Sequence, residues 1–181
     1  KVPVNIKTKI GFGYDSNFLR LSDRDIEGGN AYDYGILSTV DSPIIKPTVK
    51  LIYSPILFKN HLTNFISSFS YSYYNEAKEK SYLISNFSLE YKIKSYSWIK
   101  FGFRDIPRFY LRNSIDRDVS LVKYHECTFS NQKFFVSYSF PLKWLKKTWV
   151  KTQYFSENEF YNSNFTEFDL NKHLFQLELN H

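Results

Sequence analysis

Residues 4–14 read VNIKTKIGFGY. Val4, Ile6, Ile10, Phe12 and Tyr14 fall on alternate positions, with Asn5, Lys7, Lys9, Gly11 and Gly13 between them. Successive side chains of a strand point to opposite faces, so this stretch has one apolar and one polar face. Thr8 is the only polar residue among the apolar positions. A period of two sustained over eleven residues specifies a β-strand rather than a helix.

The same pattern recurs along the chain. Phe65, Phe69, Tyr71 and Tyr73 oppose Asn64, Ser68, Ser70 and Ser72. Leu83, Phe87, Leu89, Tyr91 and Ile93 oppose Asn86, Ser88, Glu90 and Lys92. Ile99, Phe101 and Phe103 oppose Lys100, Gly102 and Arg104, and Phe134, Val136, Tyr138 and Phe140 oppose Lys133, Ser137 and Ser139. Phe175, Leu177 and Leu179 alternate with Gln176, Glu178 and Asn180, while Val49–Leu51–Tyr53 and Val150–Thr152–Tyr154 mark two further strands. Around residues 124–130 the apolar side switches, which predicts a bulge.

Short connections (residues 54–61, 94–97 and 141–147) alternate with longer polar ones (15–46, 75–80, 111–123 and 156–166). That asymmetry, with strands near the ~9–11 residues of a tilted span, is the pattern of an up-and-down transmembrane barrel. The expected fold is therefore all-β: an antiparallel up-and-down barrel of about eight strands in one domain over residues 1–181. The count becomes ten if residues 31–40 form a hairpin arm and residues 124–140 divide at Asn131-Gln132.

Composition narrows the alternatives. Of 181 residues, 18 are Phe and 15 are Tyr, yet mean hydropathy is −0.42. A chain both aromatic and polar suits a barrel that shows rings to lipid and polar groups to its lumen. In a soluble barrel the same rings would point inward, where a small interior cannot hold them. No stretch approaches the ~18 apolar residues of a membrane helix, so strands are the remaining route across a bilayer. A single Cys excludes a disulfide-stapled domain. The net charge of +6 is scattered rather than gathered in a run, so it predicts no nucleic-acid partner.

The segments GFGYDSN (residues 11–17) and RLSD (residues 20–23) resemble the start of many bacterial outer-membrane β-barrel proteins, in which a first strand ends in a Gly-Tyr-Asp-Ser-Asn type run before a long loop. The likeness covers most of the chain as a pattern and is shared by porin-like channels and the barrels of surface lipoprotein assembly modifiers. It implies an outer-membrane location and a transport role for small polar solutes or ions. Export or assembly of surface proteins, membrane anchoring and lipid-modifying enzymology are the alternatives. Such barrels close on a strand ending in Phe or Trp, where this chain has His181. The expectation is a processed product or a section of a larger barrel.

Two residue sets are candidates for function. Lys7, Lys9, Lys50, Lys92, Lys100, Arg104, Lys133 and Lys151 fall on polar faces with Glu90 and Glu178. They either select anions in a pore or fill a narrow lumen with hydrogen-bonded cations. Tyr53, Tyr91, Trp98, Trp144, Trp149 and Tyr154 lie near strand ends by the short turns. They are read as an interfacial girdle, against a stacking platform for sugars or bases.

Other motifs carry less. Asp23, Asp25, Glu27 and Gly28 imitate a calcium loop, but Tyr34 stands where its bidentate Glu belongs. His61, His125, His173 and His181 are far apart, and no Ser sits in a nucleophile elbow. Cys127 reads as a small filler. No cofactor, metal or catalytic residue is predicted. The expected partner is a lipid bilayer.

Overall fold

The computed structural model describes residues 4–23, 41–57, 61–94, 96–116, 123–142, 144–145 and 147–180. Nine strands lie in them: β1 (Val4–Asp15), β2 (Ser42–Tyr53), β3 (Ile56–Leu57), β4 (His61–Tyr74), β5 (Tyr82–Lys94), β6 (Ser97–Ile115), β7 (Tyr124–Pro141), β8 (Trp149–Tyr161) and β9 (Leu170–Asn180). Eight pair in chain order as an antiparallel meander, and the two-residue β3 pairs with β4. The sequence residues 124–140 form one continuous strand, not two. The hairpin arm considered for residues 31–40 lies outside the described residues.

Register is set by matching faces. Val4 opposes Tyr53, Ile6 opposes Leu51 and Phe12 opposes Ile45, while Lys7 opposes Lys50 on the other side. A slip of one residue would put lysines among the aromatics, so the alternation specifies the pairing. One cross-strand line reads Val4, Tyr53, Phe65, Leu89, Phe101, Val136, Tyr154 and Phe175 over all eight long strands.

The bulges lie opposite the segment expected to hold them. In the β6–β7 ladder the extra residues are on β6, between Ile106 and Phe109 and between Tyr110 and Arg112. Pro107 falls in the first, where its missing N–H costs no ladder bond. The inserted residue reverses the alternation, so Phe109 pairs with Phe129 on the charged side of the sheet.

The sheet does not close into the expected barrel within these strands: β1 and β9 are its two edges and do not pair with each other. Among the described residues no second layer of strands or helices covers either face. The apolar side chains of the first face, Phe65, Phe69, Phe87 and Phe101 among them, are exposed rather than packed in a core.

The buried hydrophobic cluster sits at the long-loop end instead. Phe18, Leu19 and Leu21 pack with Tyr74, Ala77 and Tyr110, and Ile44 and Tyr82 lean against them. Ile44 pairs with Tyr74, and Tyr82 with Ser72, at positions whose parity is that of the charged face. The chain leaving β1 therefore folds back over that face. Asn17 pins it: its Nδ2 donates to the Leu21 carbonyl (2.7 Å), its Oδ1 accepts from the Leu21 N–H (2.9 Å), and Arg20 takes φ 54° to close the loop.

Candidate functional site

All ten charged residues expected on one face share it. A second cross-strand line reads Lys7, Lys50, Ser68, Asn86, Arg104, Lys133, Glu157 and Lys172. Lys9 lies above it. Glu90 pairs with Lys100, Lys92 with Trp98, and Lys151 with Glu178 below it. The alternation of every strand is consistent with this assignment, since neighbours in a ladder share a face.

The charges divide by strand. Toward β9, three cations are ion-paired: Lys100 Nζ lies 2.8 Å from Glu90, Lys133 Nζ 3.5 Å from Glu157, and Lys151 Nζ 3.5 Å from Glu178. Asn64 donates to Glu90 (3.3 Å), and Asn131 donates to both Glu157 (3.0 Å) and Glu159 (3.1 Å). On β1 and β2, Lys7, Lys9, Lys46 and Lys50 have no acid at ion-pairing distance among the described residues. Lys7 and Lys50 stand directly opposite one another, an arrangement that like charges disfavour.

Four of these residues, Lys46, Glu157, Glu159 and Lys172, escaped the sequence reading. Glu157 and Glu159 were expected in a loop, but β8 runs on to Tyr161 and keeps them in phase with Lys151. Lys172 belongs to a β9 that starts at Leu170, before the first clear alternation. Continuing the period through Gln153, Phe155 and Glu157 was the available signal.

The six girdle candidates do not share a face. Tyr53, Tyr91 and Tyr154 stand on the apolar side, whereas Trp98 and Trp149 have the parity of the charged side. Lys92 Nζ sits 5.6 Å from the Trp98 ring centroid. Trp144, 79% exposed, is in the turn between β7 and β8. The histidines are dispersed: His61 Nδ1 is 2.7 Å from the Lys92 carbonyl, and His173 Nδ1 is 2.7 Å from the Tyr154 hydroxyl. Of the calcium-like motif only Asp23 is among the described residues. Cys127 is buried.

Gly102 shows how the charged face is packed. A Cβ at this position would lie 2.1 Å from the Phe135 ring, which crosses directly over the glycine. Lys100 Nζ in turn lies 5.7 Å from that ring's centroid. The ring thus fills the gap left by the glycine and has a cation within reach of its π-system.

The apolar face has an oblique limit. Midway up β5 to β9 it is crossed by a polar line, Ser85, Asp105, Gln132, Asn158 and Asn171. On β1, β2 and β4 that line reads Thr8, Val49 and Phe69, and apolar residues continue above it to Phe12, Tyr14, Ile45 and Tyr73. At the opposite end the apolar residues reach lower on β7 to β9, to Phe140, Val150 and Leu179. From Tyr14 on β1 to Phe175 on β9 the upper limit descends by about ten residues, about 33 Å along the strands, across seven strand spacings, about 34 Å. This upper limit is inclined to the strand normal by about 45°. Comparison with family models, curated proteins and solved structures returned no match to the chain.

Proposed function

We propose that this sheet is part of the wall of a transmembrane β-barrel of the bacterial outer membrane, with its Phe/Tyr/Leu face against lipid and its Lys/Asn/Ser/Glu face along a water-filled, porin-like path for small polar solutes or ions. The observation that carries the reading is the exposed apolar band and its slant. A soluble sheet covers such a face with a second layer. A membrane slab cutting through strands tilted ~35–45° leaves an apolar stripe oblique to them by that angle, and the upper limit of the band here slants by about 45°. The eight long strands, from 11 to 19 residues, suffice for a tilted span.

The charge distribution supports an anion-biased path. Lys100, Lys133 and Lys151 are offset locally by glutamates, while Lys7, Lys9, Lys46 and Lys50 on the same face are in no ion pair among the described residues. Basic groups lining a pore favour anions. The test is single-channel recording in planar bilayers under a salt gradient. Stable steps with an anion-biased reversal potential support the reading. A folded, membrane-embedded and electrically silent protein would refute conduction and favour anchoring or export.

A further inference from the structure

The two ends of the sheet differ in charge. On the charged face β1 and its neighbour β2 carry Lys7, Lys9, Lys46 and Lys50, none of them in an ion pair among the described residues. At the other end β8 and β9 bring the acids Glu157, Glu159 and Glu178 onto that face, interleaved with Lys151 and Lys172. The edges also run in opposite senses, because eight strands alternate in direction along the meander. β1 of one sheet can therefore follow β9 of another and keep the ladder antiparallel.

Two edge positions make sense only with a neighbour. Leu174 on β9 stands opposite Phe155, on the charged face, and is 49% exposed. Gly13 on β1 leaves a gap on the same face: a Cβ there would meet no atom of the described residues within 4 Å. Matching charged face to charged face permits only alternate registers. In one of them Leu174 lies over Gly13, with Lys9 opposite Glu178 and Asp15 opposite Lys172. On the apolar face the same register sets Phe12 opposite Phe175 and Ile10 opposite Leu177. Sliding by two residues either way parts Asp15 from Lys172 and puts Lys172 or Gln176 over Gly13. The cross-strand line that starts at Val4 on β1 and ends at Phe175 on β9 then continues to Phe12 of the next sheet, in the direction of the slanted upper limit. That is one residue per strand, about 3.3 Å along against about 4.8 Å across, a tilt of about 35°. Transmembrane barrels tilt their strands by ~35–45°.

We infer that a second copy of this chain completes the barrel, β9 of each copy pairing with β1 of the other in this register. Two equal seams join sixteen strands into a ring. A contact between unlike edges closes when the rotation allows it. Closure of a single sheet on itself would use the same edges, but an eight-strand barrel has room only for side chains to fill it. Here Trp98, Phe135, Trp149 and Phe155 all stand on the charged face, Phe135 and Phe155 with ring centroids 6.2 Å apart. The chain after β1 folds over that face as well, and eight strands leave β1 and β9 unpaired with each other. Sixteen strands enclose an aqueous channel.

This inference rests on the barrel reading, but its test does not depend on conduction. The unaltered protein is released from detergent micelles and weighed by native mass spectrometry. A particle of twice the 21.6 kDa chain mass is expected. One chain per particle, or three and more, overturns the proposal. The seam is mapped with Phe12→Cys and Phe175→Cys, each made in a Cys127→Ser background. Residues directly opposite across a ladder are within reach of a disulfide. Folded together and oxidised, the two variants give a disulfide-linked dimer that neither gives alone. A disulfide inside one chain of the double variant overturns the proposal, because it means that the sheet closes on itself. So does the absence of any cross-link in two-chain particles. A two-chain particle that is electrically silent leaves the seam standing and refutes conduction; a single-chain particle that conducts does the reverse.

Discussion

Replacing Phe101 by Arg separates a lipid-facing sheet from a water-facing one. Phe101 is the middle of three apolar residues on β6, Ile99, Phe101 and Phe103, flanked across the ladder by Leu89 and Val136. The matched site is Phe160 on β8, which has the same face parity but lies above the polar line at Asn158. The two are similarly exposed, at 44% and 49%. Six residues of strand separate Phe160 from Tyr154, the β8 member of the line containing Phe101. That is about 20 Å along the strand and about 14 Å in height at a 45° tilt; the two strand spacings from β6 to β8 add about 7 Å on the slanted sheet, so the two sites differ by most of an apolar band ~25 Å tall. Arg at the bilayer midplane costs ~2–4 kcal/mol and near the interface ~0–1 kcal/mol. Phe101→Arg should therefore destabilise the protein by about 2–3 kcal/mol more than Phe160→Arg, read from urea unfolding in lipid vesicles. In water two rings of like exposure lose like packing. Equal costs at the two sites would refute the membrane assignment.

Four further outcomes are expected. Gly102→Ala forces the Phe135 ring aside and should cost ~1–3 kcal/mol in the same unfolding assay, with Phe135→Leu restoring most of it. Glu157→Gln removes the acid that offsets Lys133, and the reversal potential should move further toward anions; a shift toward cations would contradict the path assigned to this face. Phe18→Ala empties a site that is 1% exposed in the loop cluster and should cost ~3–5 kcal/mol, with hydrogen exchange accelerating first in the segment after β1. Lys80 gives a pH signature: burial, then the nearby Arg20 charge, pushes its ammonium down to about 8 from 10.5. Between those values the unfolded chain holds a proton that the folded one has lost, so stability should rise with pH from about 8 to about 10.5, by at most about 3 kcal/mol, and Lys80→Met should flatten the slope.

Where period two ran unbroken, local sequence was enough. The faces of β4, β5 and the first half of β6 follow from counting alternate residues, because in a ladder the register of one strand fixes the side of its neighbours. That is why the ten charged residues could be placed on one face without a structure. Phe109 could not be placed, since one inserted residue at Pro107 reverses the positions after it until the second bulge before Arg112 restores them, and nothing local states the parity of either insertion. Phe18, Leu19 and Leu21 read as part of a polar loop because their partners, Tyr74 and Tyr110, are far away in sequence. Trp98 and Trp149 were grouped with the girdle by their height alone. Their face follows from pairing with Lys92 and Pro141. Closure was not legible either, because whether a meander joins end to end depends on accumulated twist and stagger rather than on any one strand.

The two outer strands carry a further consequence. Among the described strands β1 and β9 each have one edge without a neighbour, beside rings and aliphatic chains such as Phe12 and Phe175. In water such an edge is a template: a second copy can add to it, then a third, in the geometry of a growing fibril. On the proposed reading the sheet is a safe structure only where lipid covers its face and its ladders find their neighbours. The chain must therefore be kept from pairing until it reaches the bilayer. A holding chaperone that masks its aromatic alternate positions would guard the same residues that later meet the membrane.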